Sequence, residues 1–356
     1  MDETAGGSSA RHELTEFDRR LLTEMQEDFP LSATPFLVLA DRLGASEDGV
    51  IARVVALRDA GLLRHVSPIF DGEALGYATC LVAMRVPEDR LAAAAEIVNA
   101  HPGVSHNYRR DHAFNMWFTI AVPPGSDVLA HVQALHALAG AESTRPLPAI
   151  RRYKIGVSLD VTGERAMDER SQPRHTGGHS ENGAPKSALT KREIDVIRAV
   201  QGDLPLQAHP FADAARALGM TEEAVVDALD GLRRRGALRR FAGILRHREA
   251  GFGANGMAVW NVPDARARAV GEAMATYTAI SHCYERPRYE DWPYNLFTMI
   301  HARSTAECDA FVAQLARTCD IPDHAVLYST TEYKKVRPGY FSPDVEDWER
   351  RFVPPQ

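Results

Sequence analysis

Val104 to Ile120 reads VSHNYRRDHAFNMWFTI, and Ile280 to Ile300 reads ISHCYERPRYEDWPYNLFTMI. Each has the pattern of two short strands joined by a polar connection. Side chains alternate along a strand, so His106, Tyr108 and Arg110 share one face, and Ser105, Asn107 and Arg109 the other. Asn115, Trp117 and Thr119 share a face of the following strand, opposite the apolar Phe114, Met116, Phe118 and Ile120. His282, Tyr284 and Arg286 repeat the first triplet, and Tyr294, Asn295 and Phe297 repeat Phe114, Asn115 and Trp117. Imidazole, phenol and guanidinium cost free energy if buried unpaired, so these rows predict a wet or ligand-filled surface.

The repetition extends outward. Leu14 to Phe36 aligns without a gap on Leu189 to Phe211, and Pro30, Pro35, Gly44 and Gly61 fall on Pro205, Pro210, Gly219 and Gly236. Repetition at this scale predicts a duplicated domain pair. Each copy opens with three helices, in the first about Glu16–Glu27, Pro35–Leu43 and Ser46–Ala60. Ser46 and Thr221 supply N-caps, acids follow in the first turn, and Gly61 and Gly236 sit at helix ends. The last two helices make a helix-turn-helix of winged type.

A strand–helix–strand–strand–helix–strand pattern follows. In the first copy the expected strands are Tyr77–Val86, Val104–Arg110, Phe114–Val122 and Ile150–Val157, with helices Glu88–Ala100 and Asp127–Leu138. In the second they are Ala254–Val262, Ile280–Arg286, Tyr294–Ala302 and Ala325–Lys334, with helices near Ala265–Thr276 and Thr305–Thr318. The fold class is therefore α+β: a duplicated winged helix-turn-helix plus ferredoxin-like βαββαβ domain, pseudo-twofold, with the two sheets facing each other. The expected divisions are a disordered tail 1–12, helix-turn-helix 13–70, ferredoxin-like domain 71–159, flexible linker 160–187, helix-turn-helix 188–250, ferredoxin-like domain 251–336 and a tail 337–356. The linker is rich in Gly, Ser, Pro and charge, and the last segment holds too many prolines for regular structure.

The chain has 356 residues, 45% hydrophobic and 25% charged, which is soluble globular composition. Its net charge of −7 argues against a dedicated nucleic-acid binder. No apolar run reaches the roughly 18 residues of a membrane span. An acidic, polar N-terminus predicts no secretory signal, and Cys80, Cys283, Cys308 and Cys319 form no CxxC pair, so a cytoplasmic protein with reduced thiols is expected.

A helix-turn-helix before a ferredoxin-like domain is the layout of leucine-responsive, AsnC-type regulators. The stretches HNYRRDHAFNMWFTIAVP, RRFAGILRHREAGFGANGMAVWNVP and HCYERPRYEDWPYNLFTMIH resemble instead the siroheme decarboxylases, which use that architecture without being regulators. In many organisms these are two paired polypeptides, and this chain resembles both joined. The resemblance implies conversion of siroheme to 12,18-didecarboxysiroheme by loss of two acetate carboxyls, feeding heme d1 or an alternative heme route. The regulator remains the alternative, and a tetrapyrrole carrier without catalysis a third. The third helices oppose the regulator, because Glu47, Asp48, Glu222 and Glu223 lie where such a helix would meet phosphates, although Arg233–Arg235 leaves basic groups nearby.

Siroheme is a flat iron tetrapyrrole with eight carboxylates, so its site needs apolar walls and guanidinium groups. Trp117, Trp292 and Phe297 are the expected walls; Arg109, Arg110, Arg246 and Arg288 are the expected anion contacts. His247 has two readings, axial ligand to the substrate iron or part of a solvent-exposed basic loop. Asn295 joins the substrate-binding set, with a structural role between strands as its alternative. His282 and Tyr284 are the first choice for acid and hydrogen-bond roles, with Arg286 clamping a carboxylate and His106 and Tyr108 as first-copy equivalents. Packing alone is the competing reading of His282 and Tyr284. Lys154, Lys334 and Lys335 read as solvated edge charges. No cofactor beyond the substrate's own iron, no protein-held metal, no DNA and no membrane partner is expected. A homodimer and contact with other heme d1 pathway enzymes stay open.

Overall fold

The computed structural model describes residues 14–27, 29–155, 167–170, 188–245 and 254–354. The first copy runs α1 (Glu16–Glu27), α2 (Pro35–Leu43), α3 (Glu47–Asp59), β1 (Leu63–Phe70), β2 (Ala78–Arg85), α4 (Leu91–Ala100), β3 (Val104–Arg110), β4 (Met116–Val122), α5 (Val128–Ala139), β5 (Ser143–Leu147) and β6 (Arg151–Ile155). The second runs α6 (Lys191–Val200), α7 (Ala212–Leu218), α8 (Glu222–Arg234), β7 (Leu238–Leu245), β8 (Ala254–Trp260), α9 (Asp264–Ala275), β9 (Ile280–Glu285), β10 (Leu296–Ala302), α10 (Thr305–Cys319), β11 (His324–Lys335) and α11 (Pro343–Phe352). These elements fall into two units, one from residues 1–71 with 189–246 and one from 72–188 with 247–356.

The first unit joins both helix-turn-helix copies. Ser46 Oγ accepts from Gly49 N and Thr221 Oγ1 from Ala224 N, so both expected N-caps form. Gly61 and Gly236 take φ of 77° and 75° where the chain leaves α3 and α8 for a strand, a backbone region that glycine enters without steric cost. Each copy brings one strand, and β1 and β7 pair antiparallel. The core is shared as well: Phe241 of β7 lies 6.4 Å from Phe29 and 5.9 Å from Phe211. Buried Asp18 receives Arg53 Nη2 at 2.7 Å, which holds its carboxyl well below the usual range.

The second unit holds both ferredoxin-like copies in one nine-stranded sheet, ordered β5-β2-β4-β3-β11-β8-β10-β9-β6. This corrects the expectation of two separate sheets. Half of β11 pairs with β8 of its own copy and its C-terminal half with β3 of the first copy. Reciprocally, β5 closes the first copy against β2, while β6 crosses to β9 of the second. The expected strand Ile150–Val157 is β6, and β5 before it, ending ahead of Pro148, is a strand that the sequence pattern did not announce. Only three residues separate β5 from β6, so the two ends of the strand order belong to one run of chain. Helices α4 and α5 cover one half with a core including Val82, Phe118 and Ile120, and α9 and α10 cover the other with Trp260, Leu296 and Ile300. The opposite faces share a third core of Ala83, Phe114, Trp117, Leu147, Met257, Val259, Trp292, Phe297 and Leu327. The halves do face each other, as expected, and Trp117 and Trp292 meet edge to face between them, their ring centroids 5.2 Å apart.

Three further expectations change. The tail forms α11, capped by Ser342, and buries Trp348 against α4 and α5. Lys154 Nζ donates to Tyr277 O at 2.6 Å, and Lys334 Nζ to Asn99 O at 2.6 Å, so both stitch an exchanged strand to the chain leaving a helix rather than standing free in water. Within the expected linker, Arg170 pairs with Tyr277; residues 160–166 and 171–187 lie outside the described residues, as does the tail 1–12.

Candidate active site

The decisive local feature is a β-bulge in each copy. On β3 the register steps from Val104 opposite Ile120 to His106 opposite Thr119, leaving Ser105 extra. On β9 it steps from Ile280 opposite Ile300 to His282 opposite Met299, leaving Ser281 extra. A bulge re-aims side chains without ending the strand. Each extra serine turns its hydroxyl onto the next imidazole: Ser105 Oγ to His106 Nδ1 and Ser281 Oγ to His282 Nδ1, both 2.9 Å.

Beyond each bulge the alternation puts histidine, tyrosine and arginine in a row on the face turned to the other half. His106 lies 6.2 Å from the Tyr108 ring and His282 6.2 Å from that of Tyr284. Arg110 stands 5.8 Å from the Tyr108 ring and Arg286 4.7 Å from that of Tyr284. The arginines then cross between copies. Arg110 Nη1 donates to Leu327 O at 2.6 Å, and Arg286 Nη1 donates to Leu147 O. Among the described residues neither Nε has a hydrogen-bond partner. Burial lowers both guanidinium pKa values to about 10, so both stay cationic at neutral pH.

The imidazoles behave oppositely. Burial depresses His282 to about 4, and the positive charge that His301, Arg286, His106 and Lys154 can carry adds to it. His106 is lowered by burial and by Lys335, against the pull of Glu332. Burial raises Tyr108 to about 12. Burial thus favours the neutral form of both imidazoles, beside two buried guanidinium groups.

Other expected residues divide. Trp117, Trp292 and Phe297 are buried in the core between the halves, where an apolar wall was expected, and Trp292 Nε1 has no partner among the described residues. Arg109 lies on the helix side, paired with Glu88 at 2.9 Å, away from the rows. Arg288 is a structural staple, donating to Pro293 O at 2.8 Å and to Asp264 and Val262 O. Asn295 is fully used as a clamp: its Oδ1 accepts from Val262 N at 2.9 Å and its Nδ2 donates to Val262 O at 3.0 Å. Asn115 does the same at Val86. Arg288 and the structural reading of Asn295 meet at one place: β8 ends at Trp260, and the backbone beyond it needs partners that its neighbours no longer supply. Arg246 and His247 lie outside the described residues. Sequence reasoning passed over Ser105 and Ser281, although serine precedes histidine in both motifs. It also missed His301 and Asn255, which the pairing of β8 and β10 brings together.

A duplicated helix-turn-helix joined to a duplicated ligand-binding domain, with an inward site of neutral acid–base groups and arginines, defines a class of protein, and comparison with known sequences gives the family. The AsnC-like ligand binding domain model matches residues 74–154 and 249–334. The siroheme decarboxylase NirDL-like HTH domain model matches 18–64 and 193–239. The chain is 38% identical to the siroheme decarboxylase of Hydrogenobacter thermophilus over 95% of its length and 98% of the relative's. It is 33% identical to the siroheme decarboxylase NirDL subunit of Paracoccus denitrificans, over 90% of this chain and 96% of that one. A crystal structure of the siroheme decarboxylase NirDL in co-complex with an iron-uroporphyrin III analogue superposes with a TM-score of 0.76 at 32% identity, covering 95% of this chain and 98% of that chain. The chain belongs to the siroheme decarboxylase family, in its fused form. Members of that family are carboxy-lyases.

Proposed function

We propose that this chain converts siroheme to 12,18-didecarboxysiroheme, removing two acetate carboxyls as carbon dioxide, in heme d1 or alternative heme synthesis. The observation that carries the reading is the pair of inward His–Tyr–Arg rows, each ending in a guanidinium whose Nε is unmatched among the described residues. Arg110 and Arg286 bind peripheral carboxylates, whose planar oxygens match the guanidinium fork. Trp117, Trp292 and Phe297 supply apolar surface for the macrocycle. The polyanion offsets the surrounding cations and raises the histidine pKa values toward neutrality. Loss of carbon dioxide leaves its electron pair on the acetate methylene carbon, and the tetrapyrrole accepts that pair once a ring carbon is protonated, so the chemistry requires no organic cofactor. His282 is the acid and Tyr284 its hydrogen-bonding neighbour, with His106 and Tyr108 in the pseudo-equivalent place.

Anaerobic incubation with siroheme followed by mass analysis tests this. Loss of two carboxyl masses is expected; tight binding at unchanged mass identifies a carrier, and a shift of promoter DNA without turnover identifies a regulator. His282→Ala is expected to lower turnover far more than His106→Ala, and full activity in both variants removes the assignment.

A further inference from the structure

The two rows differ behind the histidine. In the second copy Ser281 Oγ lies 2.9 Å from His282 Nδ1 and 2.7 Å from His301 Nε2, while His301 Nδ1 lies 2.7 Å from Asn255 Oδ1. This string crosses three neighbouring strands, from β9 through β10 to β8, and ends at exposed Asn255. In the first copy Ser105 meets His106 in the same way, but Ala121 follows Ile120 where His301 follows Ile300. Among the described residues that string stops at the serine.

We propose that His301, acting through Ser281, is a positioning and proton-relay residue that recharges His282, making the second copy the protonating half of the site. The inference rests on the reading of His282 as the acid.

Each carboxylate lost as carbon dioxide takes up one proton. His282 is crowded by His301, Arg286, His106 and Lys154, which all disfavour a resident second proton. A neutral imidazole gives up its Nε2 proton readily only if Nδ1 gains one in the same event. Ser281 supplies that proton: its hydroxyl donates to His282 Nδ1 while its oxygen accepts from His301 Nε2–H. The transfers balance. One proton leaves His282 Nε2 for the substrate carbon, one passes from Ser281 Oγ to His282 Nδ1, and one from protonated His301 to Ser281 Oγ. His301, left neutral and only half-buried, regains its proton from water. The bulge at Ser281 makes this geometry, because without the extra residue the hydroxyl would not address both rings. Met299 O, 3.4 Å away, is the hydroxyl's other neighbour.

The test uses the full chain with siroheme under anaerobic conditions and the variants His301→Ala, His301→Gln, Ser281→Ala and His282→Ala. Turnover, KM, the pH–rate profile and siroheme binding by absorbance are read for each. The expected result is a fall in kcat of about 10²-fold for His301→Ala and Ser281→Ala, the order that a general-acid contribution carries. KM and siroheme binding stay close to those of the unaltered protein. The acid–base profile shifts, and added imidazole restores part of the His301→Ala rate. His301→Gln, which keeps a hydrogen bond but carries no proton, stays slow even if His301→Ala folds poorly. Unaltered kcat and pH profile in both His301 variants, with His282→Ala inactive, overturn the relay. Full activity in His301→Gln also overturns it, because the role is then structural. Retained turnover in His282→Ala sinks the underlying site assignment instead, so the two failures are distinguishable.

Discussion

Arg110 and Arg286 show what a residue reveals before its surroundings are known. Their recurrence with histidine and tyrosine at alternate positions was legible, because a strand face is written in every second letter. Their crossing to Leu327 O and Leu147 O was not, since nothing local names a partner in the other copy. Arg288 shows the reverse: a side chain that clamps backbone has the same spelling as one that binds substrate, whereas the backbone role of Asn295 was among its readings from sequence. Truncating one partner of a buried, hydrogen-bonded charge pair costs about 2–5 kcal/mol. Arg286→Ala and Arg110→Ala are each expected to weaken siroheme binding on that order, and absorbance titration checks it. A dissociation constant within twofold of the unaltered protein's for both variants removes the arginines from the binding site.

Among the elements, α11 was hidden by its prolines, although its signals are ordinary. Ser342 caps it, Pro343 occupies the first turn, Asp344 and Glu346 lie near its start, and Arg350 and Arg351 near its end. Prolines flanking a helix read as disorder when counted and as punctuation when placed. Trp348 packs on His131 at 5.1 Å and on His101 at 4.1 Å, and His101 Nε2 meets His131 Nδ1 at 2.9 Å. Trp348→Ala is expected to cost about 3–5 kcal/mol, the range for removing a large buried aromatic, read as a lowered denaturant midpoint. Burial first, then His131 and Lys334, holds His101 at about 3, below the 6.5 of an unfolded histidine. The unfolded chain therefore binds more protons across this window, so stability rises with pH from about 3 to 6.5 and then levels off. Glu349 and Asp127 oppose the depression at His131 without reversing it. Urea melts at pH 4.5 and 7 are expected to show the lower midpoint at pH 4.5, and a His101→Gln variant a smaller difference.

Across the whole chain, duplication was plain in the text, whereas the exchange of β6 and β11 was not. A strand's alternation says which face is apolar and nothing about which neighbour it joins. The exchange makes each ferredoxin-like copy incomplete alone. With a protease site inserted between residues 171 and 187 and cleaved, the two pieces are expected to elute together from gel filtration and separate only in denaturant. Their separation in native buffer counts against the exchange.

The order in which the ribosome releases the chain adds a consequence. When the first copy emerges, β6 and the side of β3 turned away from β4 lack their partners, β9 and β11, which are still untranslated. For the time needed to synthesise well over a hundred residues, the nascent half carries raw hydrogen-bonding borders, that of β1 awaiting β7 included, of the kind that recruit strangers. Slowing translation within the second copy should therefore lower the yield of intact protein, and supplying chaperones during that pause should recover it.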